Sequence, residues 1–155
     1  MFDLAVLDSK RKRIQFLFEN APHSTQDMGE LRAHWARYVC VVISGYLEST
    51  LREILLTYVT NRCPTDVTRY VSKQLGSFQN AKLDKIFVLI ESFNPYWHSS
   101  LLNFIDDEHR DAINSIVGHR HAIAHGDLSN PTLGSLKKWY EKANDVIDYL
   151  VTLCA

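Results

Sequence analysis

The stretch from Leu31 to Tyr58 constrains this chain more than any other. Its apolar residues Trp35, Tyr38, Val42, Leu51, Ile54 and Tyr58 recur at steps of three and four or their sums, the spacing that places side chains on one face of an α-helix. From Val39 to Leu47 no charge interrupts the run, so the helix is apolar on every side there and its middle is expected to be buried. Ser24 followed by Asp27 is a candidate capping box ahead of it,. Pro64, just after Cys63, marks a stop or a new start, because proline is tolerated in a first turn and not in a helix interior. A long buried helix needs other helices around it.

The remaining sequence supplies them. Thr65 to Leu75 reads as a short helix ended near Gly76, and Leu83, Ile86, Phe87, Ile90 and Phe93 mark an amphipathic one broken by Asn94-Pro95,. Tyr96 to Ile105 holds a short aromatic helix, and Asp106 or Asp107 can cap the next, which ends at Gly126,. After a turn region with Asn130-Pro131, the stripe Leu136, Trp139, Tyr140, Ala143, Val146, Ile147 and Leu150 closes the bundle,. Strand signals are weak. The expected fold is all-α, an up-and-down helical bundle with a long central helix, and residues 1–155 are expected to form a single domain.

Composition narrows the function classes. The 155 residues are 46% hydrophobic and 23% charged, and their formal net charge is −1. That balance belongs to a globular chain, and any binding of phosphates must come from a local cluster rather than from overall charge. Cys40, Cys63 and Cys154 are odd in number and lack C-x-x-C spacing, which argues against a disulfide framework or zinc ribbon and fits a reducing cytoplasm. The run Val39 to Leu47 is too short for a bilayer, and the N-terminal MFDLAVLDSKRKR carries its charges after its apolar residues. Neither a membrane span nor a signal peptide is expected.

The chemistry concentrates in GHRHAIAHGD, Gly118 to Asp127. At about 100° per residue, Ile113, Ile116, Val117 and Arg120 share a stripe, so an arginine occupies a place the periodicity reserves for a core or an interface. Burying that charge unpaired costs several kcal/mol; a carboxylate, a bound phosphate or a wet seam between helices must therefore receive it. Asp111, Asn114, Gly118, His121 and His125 lie within about 60° of a neighbouring line. Three readings fit these residues. His121 and His125 near a helix end, followed by Gly126, make an ordinary polar C-terminus. The same two histidines, four apart, could share a zinc ion, although Ala122 stands where H-E-x-x-H needs glutamate,. Arginine and histidine together can also run metal-free phosphodiester chemistry, one bracing the phosphate and the other moving a proton.

Arg120-His121-Ala122-Ile123-Ala124-His125-Gly126 resembles the R-x4-H signature of HEPN domains, helical bundles that include many metal-independent ribonucleases. Val41 to Tyr58, VVISGYLESTLREILLTY, is similar to the central helix of the RiboL-PSP type of HEPN domain. The resemblance implies a catalytic Arg120 and His125, with no metal and no cofactor. It implies RNA cleaved by its own 2′-hydroxyl, a homodimer whose two motifs line one cleft, and a bacterial defence or toxin–antitoxin setting with an antitoxin or regulatory partner. Where the family often has asparagine after the arginine, this chain has His121. The competing class is a catalytically silent HEPN module that binds a nucleotide or a partner and acts as a dimeric scaffold.

Other groups support or surround this stretch. Glu48 lies four residues before Arg52, a favourable helical ion pair; by resemblance it could instead approach Arg120 or His125. Asn114 shares the polar stripe. Lys10-Arg11-Lys12-Arg13 is the dense basic run, readable as a solvated turn of the first helix or as an RNA-backbone contact. Trp97, His98 and His109 read as packing or surface residues.

Overall fold

The computed structural model describes residues 1–23 and 25–155, and every regular element among them is helical. The order is α1 (Leu4–Glu19), α2 (Gly29–Thr60), α3 (Thr65–Gly76), α4 (Leu83–Phe93), α5 (Pro95–Phe104), α6 (Asp107–Ala124) and α7 (Leu133–Leu153). Short polar caps explain most of the starts. The Asp3 carboxylate accepts from the Ala5 amide, Asn94 from Tyr96 ahead of a proline at the first helical position, and Thr132 from Ser135,. Asp106 and His109 form a reciprocal capping box at α6,. The candidate box for α2 falls on Ser24, which lies outside the described residues; α2 begins only at Gly29, with Met28 at its N-cap and no side-chain cap. Among the described residues no helix is long and apolar enough to cross a membrane.

Helix α2 is the axis of the bundle, packing on α1, α3, α6 and α7, while α6 packs along α7 and α4 along α5. Its buried face is Ala36, Val39, Cys40, Ile43, Leu47, Leu51, Ile54 and Leu55. The sequence stripe is therefore out of phase in its first half: Trp35 and Val42 are only half-buried, and Tyr38 is 48% exposed. Nor is the uncharged middle buried all round, because Val41 is 40% exposed and Gly45 lies open. A run that is apolar on all sides carries no phase; the neighbours choose which side goes inward, and here they leave Val41 and Gly45 outside.

Two members of the basic run are structural. Lys10 donates to Ser49 and pairs with Glu53 at 2.7 Å, and Arg11 donates to the Tyr46 hydroxyl and pairs with Asp148. These bonds tie α1 to α2 and α7. Burial holds the Tyr46 phenol neutral, pushed up to about 12,, and its O–H donates to Asn144 at 2.7 Å. Lys12 and Arg13 remain exposed.

Candidate functional site

Helix α6 delivers the motif. Ile113, Ile116 and Val117 are fully buried, and Arg120, one turn on, is half-buried where that stripe runs out. Of the three receivers open to it, a carboxylate is not the one: among the described residues Arg120 forms no ion pair, and its one side-chain hydrogen bond goes from Nη1 to Asn80 Oδ1 at 3.3 Å. The charge thus sits at a wet seam between α6 and the α3–α4 loop.

That loop is held from both sides. Glu48 Oε1, on α2, accepts from the Asn80 backbone N–H at 2.8 Å, while Asn114 Oδ1, on α6, accepts from the Leu83 N–H at 3.0 Å. Asn114 therefore caps the start of α4, which has no cap of its own. Between the two clamps Asn80 adopts φ 55°, the left-handed region that asparagine tolerates better than most residues,. It also borders a hollow of about 660 Å³ formed with Phe78, Lys85 and Val88. The expected Glu48–Arg52 ion pair does not form; the carboxylate serves the more demanding group, a part-buried amide N–H that has no other acceptor among the described residues,. Asn80 is the residue the sequence reading missed. Its only signal was an asparagine in a loop.

The three histidines of the stretch separate into two roles. His119 is structural: its Nδ1 lies 2.7 Å from Ser129 Oγ and its ring stacks on Trp139. Arg37 reinforces the same loop by donating to the Ser129 carbonyl and to Asn130 Oδ1 at 2.6 Å. His121 and His125 are exposed, with ring centroids 4.3 Å apart. Among the described residues no third His, Cys, Asp or Glu joins them in a metal-holding group. His125 is the C-cap of α6; Gly126 follows at φ 74°, its N–H bonded to the Ile123 carbonyl and that of Asp127 to the Ala122 carbonyl. This pair of bonds is the Schellman closure, which fixes where the His125 backbone leaves the helix. No hydrogen bond joins Arg120 to His125.

His109 is buried in the capping box and tilted against Phe104, and Trp97 packs edge-on to Tyr58. His98 lies edge-on to Phe87. The structure thus brings Glu48, Asn80, Asn114 and Arg120 into one hydrogen-bonded network around the α3–α4 loop, and His121 and His125 lie together at the exposed end of α6.

The all-helical architecture of the described residues is consistent with the all-α fold of HEPN domains. The chain belongs to the RiboL-PSP-HEPN family, whose model matches residues 7–155. No curated protein and no solved structure matches it. Membership of a HEPN-type family suggests a nuclease or nucleotide-binding domain.

Proposed function

We propose that this chain is a metal-independent RNA endonuclease, acting as one domain over residues 1–155 and as a homodimer. The observation that carries the reading is Arg120: a half-buried guanidinium held by a neutral amide rather than a carboxylate, beside a helix end that exposes two imidazoles. A guanidinium so held keeps its charge for a phosphate. In the reaction the ribose 2′-oxygen bonds to phosphorus as the bond to the 5′-oxygen breaks, giving a 2′,3′-cyclic phosphate and a 5′-hydroxyl. His125 takes the 2′-hydroxyl proton or returns one to the leaving oxygen, and Arg120 braces the charge that builds on the phosphate. His121, beside His125, orients the same phosphate.

The dimer reading is supported by the outer face of α2, where Leu31, Tyr38, Val41 and Gly45 repeat at helical spacing and remain exposed. We propose a defence or toxin–antitoxin role, with an antitoxin restraining the cut, on the resemblance alone. The missing bond between Arg120 and His125 within one chain favours a second reading, a nucleotide-binding scaffold with no reaction.

Incubating wild-type protein and His125→Ala with total RNA in EDTA decides between them. Chelator-resistant fragments ending in 2′,3′-cyclic phosphate, lost in the variant while its helical signal and dimer persist, are expected. Intact RNA with both proteins would turn the assignment toward the scaffold.

A further inference from the structure

We infer that Asn80 is a positioning residue for Arg120, and that its being an amide rather than an acid keeps the guanidinium available to a phosphate of a single-stranded nucleic acid. The inference deepens the nuclease reading and rests on it for the identity of the ligand. Three observations carry it. Asn80 Oδ1 is the one hydrogen-bond acceptor Arg120 has among the described residues, at 3.3 Å, so one of the five guanidinium N–H donors is used. The backbone that aims this oxygen is fixed, by the Glu48 carboxylate on the Asn80 N–H at 2.8 Å and by the Asn114 amide on the Leu83 N–H at 3.0 Å. The aim also depends on a left-handed φ of 55°, which most side chains would resist.

The chemistry of the acceptor matters as much as its position. An amide oxygen carries a partial charge and orients the guanidinium while leaving it net positive. A carboxylate in the same place would form an ion pair at a half-buried site, where screening is weaker than in water, and would cancel the charge a phosphate needs. Glu48, the carboxylate of this network, is occupied with the loop backbone and makes no ion pair with Arg120. The arrangement therefore uses a negative charge to build the loop and a neutral group to hold the arginine.

The test is binding, so it does not depend on cleavage. A fluorescent single-stranded 2′-deoxy oligonucleotide presents the same phosphates and lacks the attacking hydroxyl; its anisotropy is followed against KCl concentration. Asn80→Asp is expected to weaken binding about tenfold or more, the size of one lost charge-assisted bond. It should also reduce the slope of log affinity against log salt by about 0.7, the loss of one phosphate contact on a single strand. Arg120→Gln should do the same, and the double variant should be no weaker than Arg120→Gln alone. Asn80→Gly, which tolerates the left-handed backbone and leaves the charge, should keep the slope. Thermal melts should show Asn80→Asp no less stable than wild type.

Equal weakening by Asn80→Asp in the Arg120→Gln background would show a general repulsion of phosphate and overturn the inference. So would an unchanged affinity of Asn80→Asp, or the absence of any wild-type binding. If binding behaves as expected but no RNA is cut, the nuclease assignment fails and the role of Asn80 stands.

Discussion

Removing the Glu48 carboxylate is the most direct way to ask what holds the α3–α4 loop in place. Glu48 accepts a part-buried backbone N–H at 2.8 Å, and hydrogen bonds to charged groups are worth about 1.5–3 kcal/mol. The bond also holds Asn80 at φ 55°, a region that costs an ordinary L-residue roughly 1–2 kcal/mol and asparagine less. Glu48→Ala leaves that amide without its acceptor and should destabilise the fold by about 2 kcal/mol, or about 4–8 °C in melting temperature for a chain of this size. Glu48→Gln keeps an oxygen in place without the charge and should cost about half as much. Arg52→Ala touches nothing in this network and should stay within about 0.5 kcal/mol of wild type. Melts followed by circular dichroism on the three variants and on Glu48→Ala/Arg52→Ala settle the matter. If Arg52→Ala costs as much as Glu48→Ala, and the double variant costs no more than either, the carboxylate works through an i,i+4 ion pair and the loop-clamp reasoning is wrong.

Three further outcomes are expected elsewhere in the bundle. The Thr50 hydroxyl on α2 is fully buried and has no hydrogen-bond partner among the described residues, so Thr50→Val should stabilise by about 1 kcal/mol; a melt that drops instead would reveal a partner for that oxygen. The Asp106 carboxyl is held below the ordinary carboxylate range, first by the His109 backbone N–H and then by the nearby Lys142 charge. A lowered folded-state value gives stability that is present above the unfolded value of about 3.9 and lost as pH falls through the folded one. Asp106→Asn keeps a good N-cap, and its denaturation midpoint should therefore decline less than that of wild type below about pH 4; parallel curves would refute the linkage. Burial pushes the Cys40 thiol up to about 11 and the Cys154 thiol up to about 12, whereas Cys63 is only half-buried. Native iodoacetamide labelling near pH 8 should mark Cys63 first, and early modification of Cys40 would contradict its packing.

Several boundaries between α3 and α6 are legible because breakers and caps write them locally: Pro64 before α3, Asn94-Pro95 between α4 and α5, Asp106 before α6, Gly126 after it. The phase of α2 was not legible, since a stretch apolar on all sides accepts several inward faces and only the packing of α1, α6 and α7 selects one. The long-range polar contacts were equally hidden. Glu48 was read against Arg52, four residues away, yet its acceptor oxygen serves Asn80; Asn114 looked like part of a site stripe and caps another helix. Spacing rules describe neighbours on one helix, and these bonds join residues more than thirty positions apart. Arg120 was legible as an anomaly, a charge on an apolar stripe, but not the neutral group that receives it.

That anomaly bears on how the proposed reaction could be assembled. Five helical steps separate Arg120 from His125, about 500° or some 140° net around the axis, and the side chains take different surroundings: Arg120 turns to the loop at Asn80, His125 pairs with the His121 ring at the exposed end. No hydrogen bond joins the two side chains within one chain, and the proposed homodimer supplies a complete pair if each phosphate meets the arginine of one copy and the histidine of the other. Mixing two inactive proteins tests it. Arg120→Gln and His125→Ala, unfolded and refolded together, should regain chelator-resistant RNA cleavage, because each mixed dimer holds one complete pair. Were each site built within a single chain, no mixed dimer would contain an intact one, and the mixture would stay as silent as its components.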